Sequence, residues 1–123
     1  MDYAAVFVGG GIGAALRHSV NRAALAWLGP GFPYATLFVN VAGSVALGIL
    51  AGLFVARAPA EAWRLFLTTG LLGGFTTFSA FSLDSATMWQ SGDHAGLAVY
   101  VGASVALSIA GLFAGLALAR ALA

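Results

Sequence analysis

Phe75, Phe78 and Phe81 recur every third residue, and Thr76, Thr77, Ser79 and Ser82 are interleaved with them. On a helix, residues three apart share a face about 60° wide per step. The pattern therefore predicts a stripe of rings edged by hydroxyls. Gly70, Gly73 and Gly74 come just before it. Glycines followed by paired threonines weaken a helix, so a break is expected here. A broken membrane helix exposes carbonyls that protein or a bound ion must satisfy. Exposed carbonyl oxygens suit a hard cation such as Na⁺.

Two further polar sets lie in apolar surroundings. Asn40 sits within Phe38-Val39-Asn40-Val41-Ala42-Gly43-Ser44, with Ser44 one turn later on its face. Asparagine at such a place either bonds a neighbouring helix or serves a ligand. Tyr100, Ser104 and Ser108 repeat every four residues and form one hydroxyl stripe. Hydroxyls in membrane helices also bond their own preceding turn. Amide and hydroxyl donors, with the positive edges of phenyl rings, can hold a small anion without a fixed opposite charge. Weak holding of this kind permits release, which conduction requires.

These residues need a membrane to position them. The 123 residues are 61% hydrophobic and 7% charged, against about 25% charged in a soluble domain. Four spans of about 20 residues are expected, within one membrane domain covering residues 1–123. They run from about Tyr3 to Leu28, Tyr34 to Ala56, Glu61 to Trp89 and Ala95 to Arg120. Gly29-Pro30-Gly31 with Pro33, Arg57-Ala58-Pro59 and Gln90-Ser91-Gly92-Asp93-His94 separate them. Trp27, Tyr34, Trp63 and Trp89 fall near span ends, as an aromatic belt would. Residues 1–8 hold an acid and no basic region, which argues against a cleaved signal peptide.

Glycines at spacing four mark each span: Gly9/Gly13, Gly48/Gly52, Gly70/Gly74 and Gly111/Gly115. Such pairs let helix backbones approach, within one copy or between copies. Four short spans enclose little interior, so an oligomer is expected. With an even span count, Arg57, Arg64 and Arg120 share one side, against Arg22 and less clearly Arg17 on the other. That bias is too small to set one orientation, and insertion both ways with antiparallel pairing is a reading it allows.

Other chemistries find no footing. Gly9-Gly10-Gly11-Ile12-Gly13-Ala14 loosely imitates a dinucleotide-binding turn, but the next acid is Glu61 and a span lies between. There is no cysteine and no lysine, and no basic patch that would hold nucleic acid. No catalytic set of serine, histidine and acid is present, so no enzyme is expected. Arg17 lies well inside the first span, where it can snorkel, attract anions in a vestibule or pair with a carboxylate. Asp84 stands about one turn beyond the rings, in a position suited to a wet mouth. His94 stands alone in a turn.

Three stretches together resemble the signatures of the Fluc/CrcB fluoride channels. They are Gly9 to Arg17, Thr36 to Ser44, and Gly70 to Ser82, the last being the specific one. The resemblance implies an all-α membrane protein with four transmembrane helices per subunit, the third broken near mid-membrane. It implies an antiparallel, dual-topology homodimer with two pores that exports fluoride passively, in a bacterial or archaeal plasma membrane. By the same resemblance Phe78 and Phe81 line the pore. Asn40, Thr77, Ser79, Tyr100, Ser104 and Ser108 join the fluoride pathway, and Arg17 and Asp84 supply vestibule charge. Carbonyls of Gly73 and Thr76 are implied to hold a central structural Na⁺. Ala80 replaces a threonine common in the motif, which removes one hydroxyl and leaves both rings. Two rivals remain. A small multidrug transporter would need a carboxylate inside the first span, where only Asp2 occurs near its start. A non-transporting assembly subunit would leave Asn40 and the ring stripe without purpose.

Overall fold

The computed structural model describes residues 2–122. Those residues are helical with short connections. α1 covers Asp2–Leu28 and α2 covers Tyr34–Ala56. The third region is segmented: α3 (Glu61–Leu65), a π-helical stretch (Phe66–Leu72), a single turn α4 (Gly73–Phe75), and α5 (Phe78–Gln90). α6 covers His94–Leu122.

Glycine and proline set the ends. Gly29 closes α1 with φ 76°, and Gly92 turns the chain after α5 with φ 83°; that left-handed backbone disfavours any residue with a Cβ. Asp93 then caps α6, its Oδ1 accepting the Gly96 N–H at 2.9 Å.

Three helical stretches are long and apolar enough to cross a membrane: Tyr34–Ala56, the segmented Glu61–Gln90 and His94–Leu122. The chain is therefore a multi-pass integral membrane protein. α1 has the length, at 27 residues, but does not join that group on apolarity. Arg17, His18, Asn21 and Arg22 make its second half polar.

The glycine pairs meet within the single chain. A Cβ on Gly48 would collide with the carbonyl of Leu112, one on Gly115 with the carbonyl of Val45, and one on Gly52 with the Ala119 methyl. α2 and α6 thus lie backbone against backbone, with Val39, Tyr100 and Ala119 sealed from solvent. α1 does the same with the π stretch and α4. Gly9 faces the Phe66 carbonyl and Gly70 Cα, and Gly13 faces the Leu71 carbonyl. In lipid, where apolar burial drives little association, this close approach supplies the packing.

Candidate functional site

The expected break lies at Thr76 and Thr77. Their backbones are extended, with φ −85°, ψ 159° and φ −156°, ψ 124°. Breaking a helix frees N–H and C=O groups, each costing several kcal/mol if left bare in hydrocarbon. The freed groups go to identifiable partners. Thr76 donates its N–H and its hydroxyl to the Leu72 carbonyl, both at 2.9 Å. Thr77 caps α5, its Oγ1 accepting the Ala80 N–H at 3.1 Å. Asn40 meets the Thr77 peptide with both ends of its amide. Its Oδ1 accepts the Thr77 N–H at 2.8 Å, and its Nδ2 donates to the Thr77 carbonyl at 3.0 Å. Arg17 Nε donates to the Gly74 carbonyl at 3.1 Å.

Those bonds leave out the carbonyls of Gly73 and Thr76. Among the described residues, no N–H is donated across the break to Gly73 or to Thr76. Asn40 takes the donor that would reach Gly73, and Thr77 Oγ1 takes the one that would reach Thr76. Two uncommitted carbonyl oxygens one turn apart are the kind of donor a hard cation takes.

A groove of about 440 Å³ opens beside the break. Asn40, Gly73, Thr76, Thr77, Phe78, Phe81, Ser104 and Ser108 all line it, as does Ser44. Eight of the expected site residues thus gather at one surface, and no charged side chain stands among its lining. Phe78 is 79% exposed at this surface and tilts against Phe81, ring centroids 5.5 Å apart. Phe81 in turn meets Tyr100 at 5.2 Å. Ser104 is 8% exposed, and its hydroxyl has no hydrogen-bond partner. A buried donor without a partner costs about 1–3 kcal/mol, which a ligand in the groove would offset.

The remaining expected residues lie apart from the groove wall. Tyr100 is fully buried and donates its hydroxyl to Asp84 Oδ2 at 2.9 Å. Asp84 lines a second cavity of about 360 Å³, formed with the Gly29–Pro33 connection and the end of α5. Ser79 is exposed, and its hydroxyl lies 3.2 Å from Thr77 Oγ1. Arg17 is turned to the break itself. Of the roles open to it, pairing with a carboxylate is not seen; among the described residues the ion pair found is Arg64–Glu61 at 3.8 Å.

Two contributors were not anticipated from sequence. Phe32 packs edge-on against Tyr100, centroids 5.6 Å apart at 89°; a large ring between two prolines in a glycine turn was its only signal. Thr68 lines the groove from the π stretch, its hydroxyl donating to the Arg64 carbonyl at 2.7 Å.

Membrane-crossing helices around a polar groove, one of them interrupted at that groove, define a multi-pass helical membrane protein with an intramembrane site. Within that class the chain belongs to the CrcB family. The family described as CrcB-like protein, Camphor Resistance (CrcB), matches residues 4–116. Similar proteins bear the name fluoride-specific ion channel FluC. One from Rhodopseudomonas palustris is 54% identical over 99% of both chains. One from Nitrobacter hamburgensis, FluC 2, is 51% identical over 98% of both. One from Methylobacterium nodulans is 56% identical over 94% of this chain and 93% of its own.

Proposed function

We propose that this protein is a fluoride-selective channel through which the ion leaves the cytoplasm passively. It is an ion channel and not an enzyme, as its family and the names of its relatives indicate. The observation that carries the fluoride reading is the groove. Uncharged donors and ring edges line it, no fixed cation would trap an anion there, and the Ser104 hydroxyl is buried without a partner. Ring edges present partial positive charge, and hydroxyl donors replace hydration. Fluoride is the halide that most needs such donors. The names of the relatives support the same ion.

In this reading α1 is a fourth span. Within its polar half Arg17 is bonded to Gly74 and escapes lipid, while His18, Asn21 and Arg22 stay exposed. Two copies pair antiparallel and give two pores, since the groove is open along one side with Phe78 projecting from it. The Gly73 and Thr76 carbonyls of both copies hold a central Na⁺. When bound, that ion supplies fixed positive charge that lowers the cost of an anion in low dielectric. This chain's part is to leave those carbonyls free, which Asn40 and Thr77 Oγ1 accomplish. Thr77 and Ser79 extend the hydroxyl surface, and Tyr100 with Asp84 continues it towards the far cavity. Lipid surrounds the pair, in the plasma membrane of the cell.

Reconstitution into liposomes with a fluoride electrode tests this. Fluoride efflux driven by its own gradient, with chloride retained and with dependence on Na⁺, is the expected result. Proton-coupled drug flux would instead favour a small multidrug transporter, and absence of any flux a non-transporting subunit.

A further inference from the structure

A clamp adjoins each of the uncommitted carbonyls. Asn40 of α2 grips Thr77, just beyond Thr76. On the other side the contacts come from α1. Gly9, Gly13 and Arg17 are spaced by four and share one helix face. Gly9 abuts the backbone of Phe66 and Gly70, and Gly13 that of Leu71 and Phe75. Gly10, beside them, offers its carbonyl and Cα against Gly74. The stripe ends where Arg17 Nε donates to the Gly74 carbonyl, one residue past Gly73. These α1 contacts therefore follow the π stretch turn by turn and end just before the break. Each uncommitted carbonyl is thus followed directly by an anchored peptide group, Gly73 by Gly74 and Thr76 by Thr77.

We infer that α1 is the positioning element of the cation site, and that Gly13 and Arg17 act through the backbone of the broken helix to aim the Gly73 and Thr76 carbonyls. This rests on the reading of those carbonyls as Na⁺ ligands. Neither residue touches the ion. Arg17 uses Nε for the anchor, an atom whose place along the side chain lysine does not reproduce. Charge alone is therefore insufficient at position 17. A methyl at Gly13 would drive into the Leu71 carbonyl and push the π stretch away, whereas one at Gly11 meets nothing within 4 Å.

The test is thermal unfolding of the purified full-length protein in sodium chloride and in N-methylglucamine chloride, across a Na⁺ titration. The wild type unfolds at higher temperature in Na⁺. Gly13→Ala and Arg17→Lys are expected to need about tenfold more Na⁺ for the same increment, while Gly11→Ala keeps the wild-type response. Should Gly13→Ala fail to fold, Arg17→Lys alone decides. A wild-type Na⁺ response in the variants that fold would overturn the inference while leaving the sodium site standing. An equal loss in Gly11→Ala would overturn it as well, because the effect would then not come from the face against the break. No Na⁺ increment in the wild type would remove the sodium reading, and this one with it.

Discussion

Asn40 and Thr77 are joined through both polar atoms of the Asn40 amide, which pairs with the peptide N–H and C=O of Thr77 as a neighbouring strand would. The residue that sequence offers as an anion donor is thus first of all a brace for the break. An amide nitrogen carries two N–H groups. One is spent on Thr77, and the other remains for the groove that Asn40 lines.

Asn40→Asp should cost both functions. A carboxylate still accepts from the Thr77 N–H but opposes the Thr77 carbonyl and brings charge to an uncharged groove. Fluoride efflux should be nearly abolished. Stability should fall by about 1–3 kcal/mol, as expected when a buried carbonyl loses its donor. Efflux from liposomes and unfolding of the purified protein check the two parts. Wild-type efflux in the variant would contradict the pore assignment.

Phe81→Ile separates packing from conduction. The ring lies between Phe78 and Tyr100, with centroids 5.5 Å and 5.2 Å away. Isoleucine keeps apolar bulk but has no ring edge to offer an anion. The variant should fold and assemble as the wild type does while its fluoride flux is lost. Size-exclusion profiles beside electrode traces would show this, and retained flux would refute it.

Ser104→Ala should move stability and transport in opposite senses. Its hydroxyl is buried without a partner, so its removal costs nothing in protein hydrogen bonds and relieves a desolvation penalty of about 1–3 kcal/mol. The unfolding temperature should hold or rise. Efflux should fall roughly tenfold, the loss of about one hydrogen bond to an ion. A fall in both would mean that the hydroxyl is structural.

Asp93→Ala tests the fold away from the groove. Losing the cap on the Gly96 N–H should destabilise the protein by about 1 kcal/mol. Efflux per folded protein should stay unchanged, as measured by normalising electrode rates to monodisperse protein.

Much of the scaffold was legible because its punctuation is chemical. Gly29-Pro30-Gly31, Arg57-Ala58-Pro59 and the turn around Gly92 end helices by backbone geometry, which is a local property. The break at Thr76 and Thr77 was legible for the same reason. What neighbours supply was not. That Arg17 would turn to the Gly74 carbonyl, or that Asn40 would spend its amide on Thr77, depends on which helices touch, and spacing along one helix is silent about that. The glycine pairs announced close approach without naming partners; the structure joins α1 to the π stretch and α2 to α6. Counting apolar residues also gave α1 the same standing as the other spans. The polar run Arg17, His18, Asn21 and Arg22 sets it apart; of these Arg17 is turned to protein, and the other three are exposed.

The π stretch from Phe66 to Leu72 holds its turns with one more residue than an α-helix would. Elsewhere in the bundle, removing a single amino acid would swivel everything beyond it by about 100° and carry Asn40 or Ser104 off its face. Within those seven positions the wider coil can tighten and absorb the loss. Among the described helical residues, this is thus a place where length is adjustable, directly before the part of the molecule that can least bear a change of angle.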